Sequence, residues 1–436
     1  MDRTRDGPVA PAPHRVGRLR FELDGPDEAV LLRLRGEIAG GCESWIPAAL
    51  DGALAAVDEP GRTLHIERLE VDLGLLPPEG VTSALLAAAL QASLARHLRP
   101  GADGGPPPRV SGDASSLAEA LRYFLERGRL PWWSPHDSLA ALEGAVLALA
   151  GAALRDLAAM LAVVLRQPRA ARRLVLQVDP AVALALAAAL PGAAAGEFAA
   201  AWQAVAGIPA ARREAAVVAL VARVRRAAGA QADAGAVPRE TPPPAVDVRP
   251  SDRPQAEPLA SDATLPEPAL DAAIAVADAG LVLLHPFLPA LFEARGLAAG
   301  GRFPDDSAQQ RAIHLTAFLA SGEGAPREPD LVMAKLLCGW PLDEPVVPSP
   351  VTDDDRAEAE ELLAAAIGHW TALGDASPAA LRETFLARPG RLTETAEAWR
   401  LEVERSGADV LLDRLPWGLS PVRLPWMPRP LFVDWG

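Results

Sequence analysis

The run Leu139-Ala140-Ala141-Leu142-Glu143-Gly144-Ala145-Val146-Leu147-Ala148-Leu149-Ala150-Gly151-Ala152-Ala153-Leu154-Arg155-Asp156-Leu157 decides how the chain is read. Alanine and leucine are among the strongest helix formers. A bilayer-spanning helix needs about 20 consecutive apolar residues. The apolar stretch Leu139–Leu165 is interrupted by Arg155 and Asp156, and the Ala-rich run Ala181–Leu190 ends at Pro191-Gly192. Both therefore read as buried helices of a soluble protein. The same density continues over residues 138–227, broken near Pro168, Pro180, Pro191-Gly192 and Pro209, which predicts a bundle of four or five helices.

Toward the N-terminus the pattern changes. Leu19-Arg20-Phe21-Glu22-Leu23 alternates apolar and charged residues, the period of a half-buried strand. Asp24-Gly25-Pro26-Asp27 breaks it and can cap a helix. Apolar residues from Glu28 to Val57 recur at helical spacing, with Gly40-Gly41 as the expected bend. Arg62 to Leu73 reads as a second strand whose phase flips across Glu67-Arg68, and Val81 to Leu98 as a helix. Residues 15–98 thus form a small strand–helix–strand–helix unit, with its strands able to pair in parallel through a crossover. Residues 1–14 read as a disordered tail, and the sequence from Met1 to Gly7 lacks the apolar core of a signal peptide.

Residues 99–113 are rich in Pro and Gly and read as a linker, after which Ser115 or Ser116 can cap a helix. Residues 229–268 shift to Pro, Ala, Asp and Glu and are expected to be a disordered connector. Helices follow at 289–295, 307–320, 328–337, 353–373 and 377–387, then a short strand from Trp399 to Val403. The fold class is mainly α with a small α/β N-terminal unit (15–98), a helical bundle (114–228), the Pro-rich linker (229–268) and a mostly helical C-terminal domain (269–436) with an extended Trp/Pro-rich tail.

Composition excludes some functions. Across 436 residues, 57 acidic side chains face 42 basic ones, for a net charge of −15. Nucleic-acid binding needs clustered positive charge, so no nucleic acid is expected, and no anionic membrane surface. Cys42 and Cys338 lie far apart and beside apolar residues, which reads as two buried free thiols rather than a disulfide or zinc framework. Nearly all the positive charge is arginine, and Lys335 is the single lysine.

No stretch matches a phosphate loop, a dinucleotide glycine fingerprint, a zinc-protease helix or a nucleophile elbow. The seven histidines are scattered without ligand spacing. His65, His285 and His369 read as hydrogen-bonded residues at core edges, and Glu402, Glu404, Asp409 and Asp413 as a solvated face. No catalytic residue, metal or cofactor is expected. The tryptophans carry more. Leu415-Pro416-Trp417 and Leu424-Pro425-Trp426 form a near repeat, and Trp435 follows at the same interval. Proline fixes φ and removes donors, so Pro416–Gly436 reads as extended. Its aromatics either pack on their own domain or form a docking strand for another subunit, in which case Trp417, Trp426, Trp435, Leu424 and Met427 are the candidate partner-docking residues.

Several segments together resemble a known family. They are His65–Gly74, Tyr123–Trp133, Ala279–Leu288, Lys335–Gly339, His369-Trp370, Asp409–Trp417 and Leu424–Met427. The chain resembles the tape-measure proteins of contractile injection systems, phage-tail-like extracellular particles. The resemblance implies a structural role in assembling the tube and sheath, by setting length or, alternatively, as a chaperone or adaptor. It implies tail tube, baseplate or spike subunits as partners, allows a homo-oligomer, and implies cytoplasmic assembly with a place in the particle lumen. It brings no active-site residue.

Overall fold

A computed structural model describes residues 14–17, 19–25, 27–59, 62–66, 68–76, 80–98, 109–134, 136–190, 199–203, 210–234, 273–324 and 326–435. These fall into two compact units: the residues up to 121 together with 132–145, and residues 122–131 together with 146 onward.

In the first unit, helix Glu28–Ser44 begins where the sequence places it. The Asp27 carboxylate accepts hydrogen bonds from the amides of Ala29 (2.9 Å) and Val30 (3.3 Å), satisfying helix-end donors. The break falls at Trp45 rather than at Gly40-Gly41. Pro47 explains it: a proline ring inside a helix clashes with the preceding turn, but fits the first turn of the helix Ile46–Ala55. Gly41 instead makes room, since a Cβ there would sit 2.9 Å from the Trp45 indole nitrogen.

Residues 19–23 are not a strand. Phe21 and Leu23 lay their side chains on a core of Ile38, Ile46, Ala49 and Leu86 instead. The second expected strand is short: β1 spans Arg62–His65 only. It pairs antiparallel with β2, Arg109–Gly112, part of the stretch expected to be linker, and has no parallel partner among the described residues. Beyond it, Ile66, Leu69 and Val71 pack on the helices Ile46–Ala55 and Ser83–His97, joining Ala53, Leu90 and Leu94. Alternating apolar residues need a buried face, and a helix pair supplies one as well as a strand ladder does. Helix Asp113–Arg127 starts two residues ahead of Ser115.

An N-terminal strap closes this unit. Both ring nitrogens of His14 meet carboxylates, Nδ1 on Asp51 (2.5 Å) and Nε2 on Asp58 (2.9 Å). A carboxylate only accepts, so both nitrogens donate and the ring is an imidazolium. Arg15 pairs with Asp137, and Gly17 lies against the Trp132 ring. Burial pulls the His14 pKa down, but the bonds to Asp51 and Asp58 outweigh it and leave it raised above 6.5. A base whose folded pKa is raised stabilises the fold fully below its unfolded pKa and loses that contribution as pH rises through the folded value. The His14 ring should therefore titrate above 6.5 in an NMR experiment, and His14→Gln should flatten stability across that window. A midpoint at or below 6.5 would remove the strap's pH dependence.

The second unit carries the bundle helices Ala152–Leu165, Pro168–Gln177, Pro180–Ala189 and Ala210–Ala234. Pro168 and Pro180 each open a helix, as their breaks predicted, and Asp179 caps the latter through the Ala181 amide (2.8 Å). The expected breaks at Pro191-Gly192 and Pro209 lie outside the described residues. So do residues 1–13, most of the expected linker at 99–113, and the expected connector from residue 235 on, its first residues (229–234) being the end of the long helix.

After residue 272 the chain builds a four-stranded sheet in the order β3 (Ala273–Val276), β4 (Gly390–Glu394), β5 (Trp399–Val403), β6 (Leu431–Asp434). The first two pairings are antiparallel and β5–β6 is parallel. Ile274, Leu392, Leu401 and Val433 lie across from one another in register. The first three are buried, in one core with the helices Leu288–Ala294, Asp306–Ser321, Val332–Leu337 and Asp353–His369. These bounds match the expected helices closely, although 328–331 is a 3₁₀ turn and the last predicted helix ends in a π turn, Arg382–Leu386. Cys338 is buried as expected, whereas Cys42 is exposed. Burial pushes the Cys338 thiol up to about 12. A thiol reagent should therefore modify Cys42 alone in the native protein, and reach Cys338 only on unfolding.

Candidate functional site

The tail tryptophans are held by leftover carbonyls. The last carbonyls of a helix have no intrahelical donor. Trp417 Nε1 donates to Leu283 O (3.0 Å), near the end of the 3₁₀ helix Ala279–Leu284. Trp426 Nε1 donates to Leu337 O (2.7 Å), the last residue of helix Val332–Leu337. The two Leu-Pro-Trp repeats thus perform the same act at two helix ends. Each indole also stacks: Trp417 edge-on to Phe287 (5.1 Å), and Trp426 against Phe292 (5.3 Å) and Phe303 (4.9 Å).

Small residues in the facing segments permit the approach. A Cβ on Gly339, whose φ is +70°, would run into the Trp426 carbonyl. One on Gly280 would overlap the Phe385 carbonyl. Trp370 Nε1 donates to Leu411 O (3.1 Å), fixing the 3₁₀ helix Gly407–Arg414 that leads into the tail. The segments 279–288, 335–339, 369–370, 409–417 and 424–427, dispersed in sequence, therefore meet in one packed arrangement.

Trp417, Trp426 and Trp435 are half-buried, while Leu424 and Met427 are buried in their own core. Trp435 lies under the Arg388 guanidinium (5.9 Å), which is itself paired with Asp409 (3.2 Å). The largest exposed apolar side chains nearby in sequence are Val410 and Phe432. Sequence reasoning did not single out either one. Val410 opens the apolar run Val410-Leu411-Leu412 of its signature segment, and Phe432 is an exposed member of β6.

A second feature went unnoticed in the sequence. Arg173, Glu328 and Lys335 form a buried ionic cluster. Arg173 donates from Nε to Glu328 Oε2 (2.9 Å) and from Nη2 to Asp343 O (2.7 Å), and Nη1 reaches Leu125 O. Lys335 Nζ donates to Glu328 Oε1 (2.6 Å), Leu342 O (3.1 Å) and Glu344 O (3.0 Å). Two cations share one carboxylate, and carbonyl dipoles solvate the excess positive charge. Burial lowers the Lys335 pKa and Glu328 pulls it back. The readable signal was a lone lysine within Val332-Met333-Ala334-Lys335-Leu336-Leu337, where the helical pattern calls for an apolar residue.

The other titratable groups singled out in the sequence lie at core edges or on the surface. His285 Nδ1 meets Val282 O (2.9 Å), and burial lowers its pKa. His65 lies between the rings of Trp132 and Trp133, and His369 is exposed beside Phe287. Glu402, Glu404 and Asp413 are exposed. Among the described residues, no three His, Cys, Asp or Glu side chains group closely enough to hold a metal ion, and no helix is long and apolar enough to cross a membrane.

No curated protein and no solved structure matches the chain. A family model described as contractile injection system tape measure protein matches residues 13–435. The matched span takes in every signature segment just described and nearly the whole chain, which therefore belongs to the contractile injection system tape measure protein family.

Proposed function

We propose that the chain sets tube length as an assembly component that engages tail tube, baseplate or spike subunits, assembling in the cytoplasm and ending in the particle lumen. The observation that carries this reading is the family match over residues 13–435. The groups that could do chemistry are instead spent on structure, as the ionic cluster and the tryptophan contacts illustrate, which supports a role without catalysis. The partner-facing surface is the tail, where half-buried Trp417, Trp426 and Trp435 leave aromatic edge accessible while Leu424 and Met427 hold the backbone from below.

The test is particle length. A rigid helical block inserted into the chain should lengthen purified tubes by ~1.5 Å per added residue, measured by electron microscopy. Tubes of unchanged length, or none at all whatever the insert size, would favour the second reading, an assembly chaperone or adaptor. One observation recommends that alternative. A fully helical chain of 436 residues would extend about 650 Å. The longest helix among the described residues has 25 residues, about 38 Å, and much of the remaining described structure packs on compact cores.

A further inference from the structure

Residues 235–272 separate the bundle helices from the sheet-bearing segment in sequence, yet the two sides meet through a charge-sorted face. The side that precedes them supplies arginines. Arg127 and Arg129 both pair with Asp343 (3.0 and 3.1 Å), Arg169 pairs with Glu344 (2.6 Å), and Arg173 pairs with Glu328. The side that follows supplies the three carboxylates, with Lys335 already drawn to Glu328. Two side-chain-to-backbone bonds knit the same face: Gln177 Nε2 to Val346 O (2.5 Å), and Arg327 Nη2 back to Gln177 O (2.6 Å), at the end of helix Pro168–Gln177. Opposite charges sorted by side across one face, with accessible pairs beside a fully buried one, are the electrostatic complementarity that fixes register at a specific interface.

We infer that this face is a self-sufficient docking interface, whose occupant is the segment 273–435 of this same chain, and that it holds the two sides together without the covalent link through 235–272. The basic face is notable on a chain of net charge −15. It matches the carboxylates of the later segment, covering Arg129 and Arg173 and leaving Arg127 and Arg169 at the accessible rim. The inference goes beyond the length-setting reading and stands whether or not the protein sets length, because its test uses the purified chain and no particle.

A protease site placed within residues 235–272 of the full-length protein, then cleaved, should yield two fragments that co-elute at near-physiological salt and separate as salt is raised. Fragments that separate at once, folded or unfolded, overturn the inference. Charge reversal provides a control that does not depend on core stability, since Arg169 and Glu344 lie at the accessible rim. Arg169→Glu or Glu344→Arg alone should weaken the cleaved complex about tenfold, and the double reversal should restore it to within about threefold. Equal weakening in the double reversal would show that sorted charge is not what binds the two sides.

Discussion

Glu328→Leu is expected to destabilise the second unit by about 3–5 kcal/mol, the range for removing one partner of a buried ion pair. The carboxylate serves Arg173 and Lys335 at once, and without it two buried cations keep only carbonyl partners. Arg173→Met should cost less, because a neutral Glu328–Lys335 pair survives. Denaturant unfolding of the two variants decides the matter, and equal losses would mean that the cluster acts through packing alone. The pH dependence gives an independent check. Burial already lowers the Lys335 pKa from 10.5, and losing Glu328 removes the main opposing attraction. A base with a depressed folded pKa binds more protons when unfolded, so the variant's stability should climb as pH rises toward 10.5.

Trp426→Ala should cost about 2–4 kcal/mol, somewhat below the range for a fully buried aromatic because the indole is half-buried. Trp426→Phe should cost roughly 1–2 kcal/mol, since the contacts with Phe292 and Phe303 can persist while Leu337 O loses its donor. If the phenylalanine variant were as unstable as the alanine one, the indole N–H would be the dominant anchor. Near-neutral behaviour of both would mean that the tail is not fixed by its tryptophans, and the docking role proposed for it would have to rest on a free segment.

Much of the second unit was legible because its signals are local. Pro168 and Pro180 announce helix starts by their fixed φ, and the helices after residue 287 follow apolar spacing closely. The strand Trp399–Val403 alternates as a half-buried strand must, with its odd-numbered residues buried. The first unit was less legible. The alternation in residues 19–23 and 66–73 is genuine, but alternation states only that one face is buried. Helices rather than neighbouring strands supplied the burial, and β2 lay in a stretch whose composition suggested a loop. Gly40-Gly41 reads as the bend, but Pro47, much the poorer helix former, decides the outcome through steric exclusion from the helix interior.

The candidate site followed the same divide. The Leu-Pro-Trp repeat was visible, but the carbonyls it serves lie 134 and 89 residues away. Arg173 and Glu328 are 155 residues apart, a pairing that no local pattern encodes.

The burial of Lys335 has a practical side for anyone seeking the binding partner. It is the chain's only lysine, and its ammonium is sealed beneath Glu328. Amine-reactive cross-linkers and lysine-directed tags will find no side-chain amine at the surface of the folded protein, so a blank in such an experiment carries no information about contact. Capture chemistry should instead use the abundant acidic side chains, or the exposed thiol of Cys42.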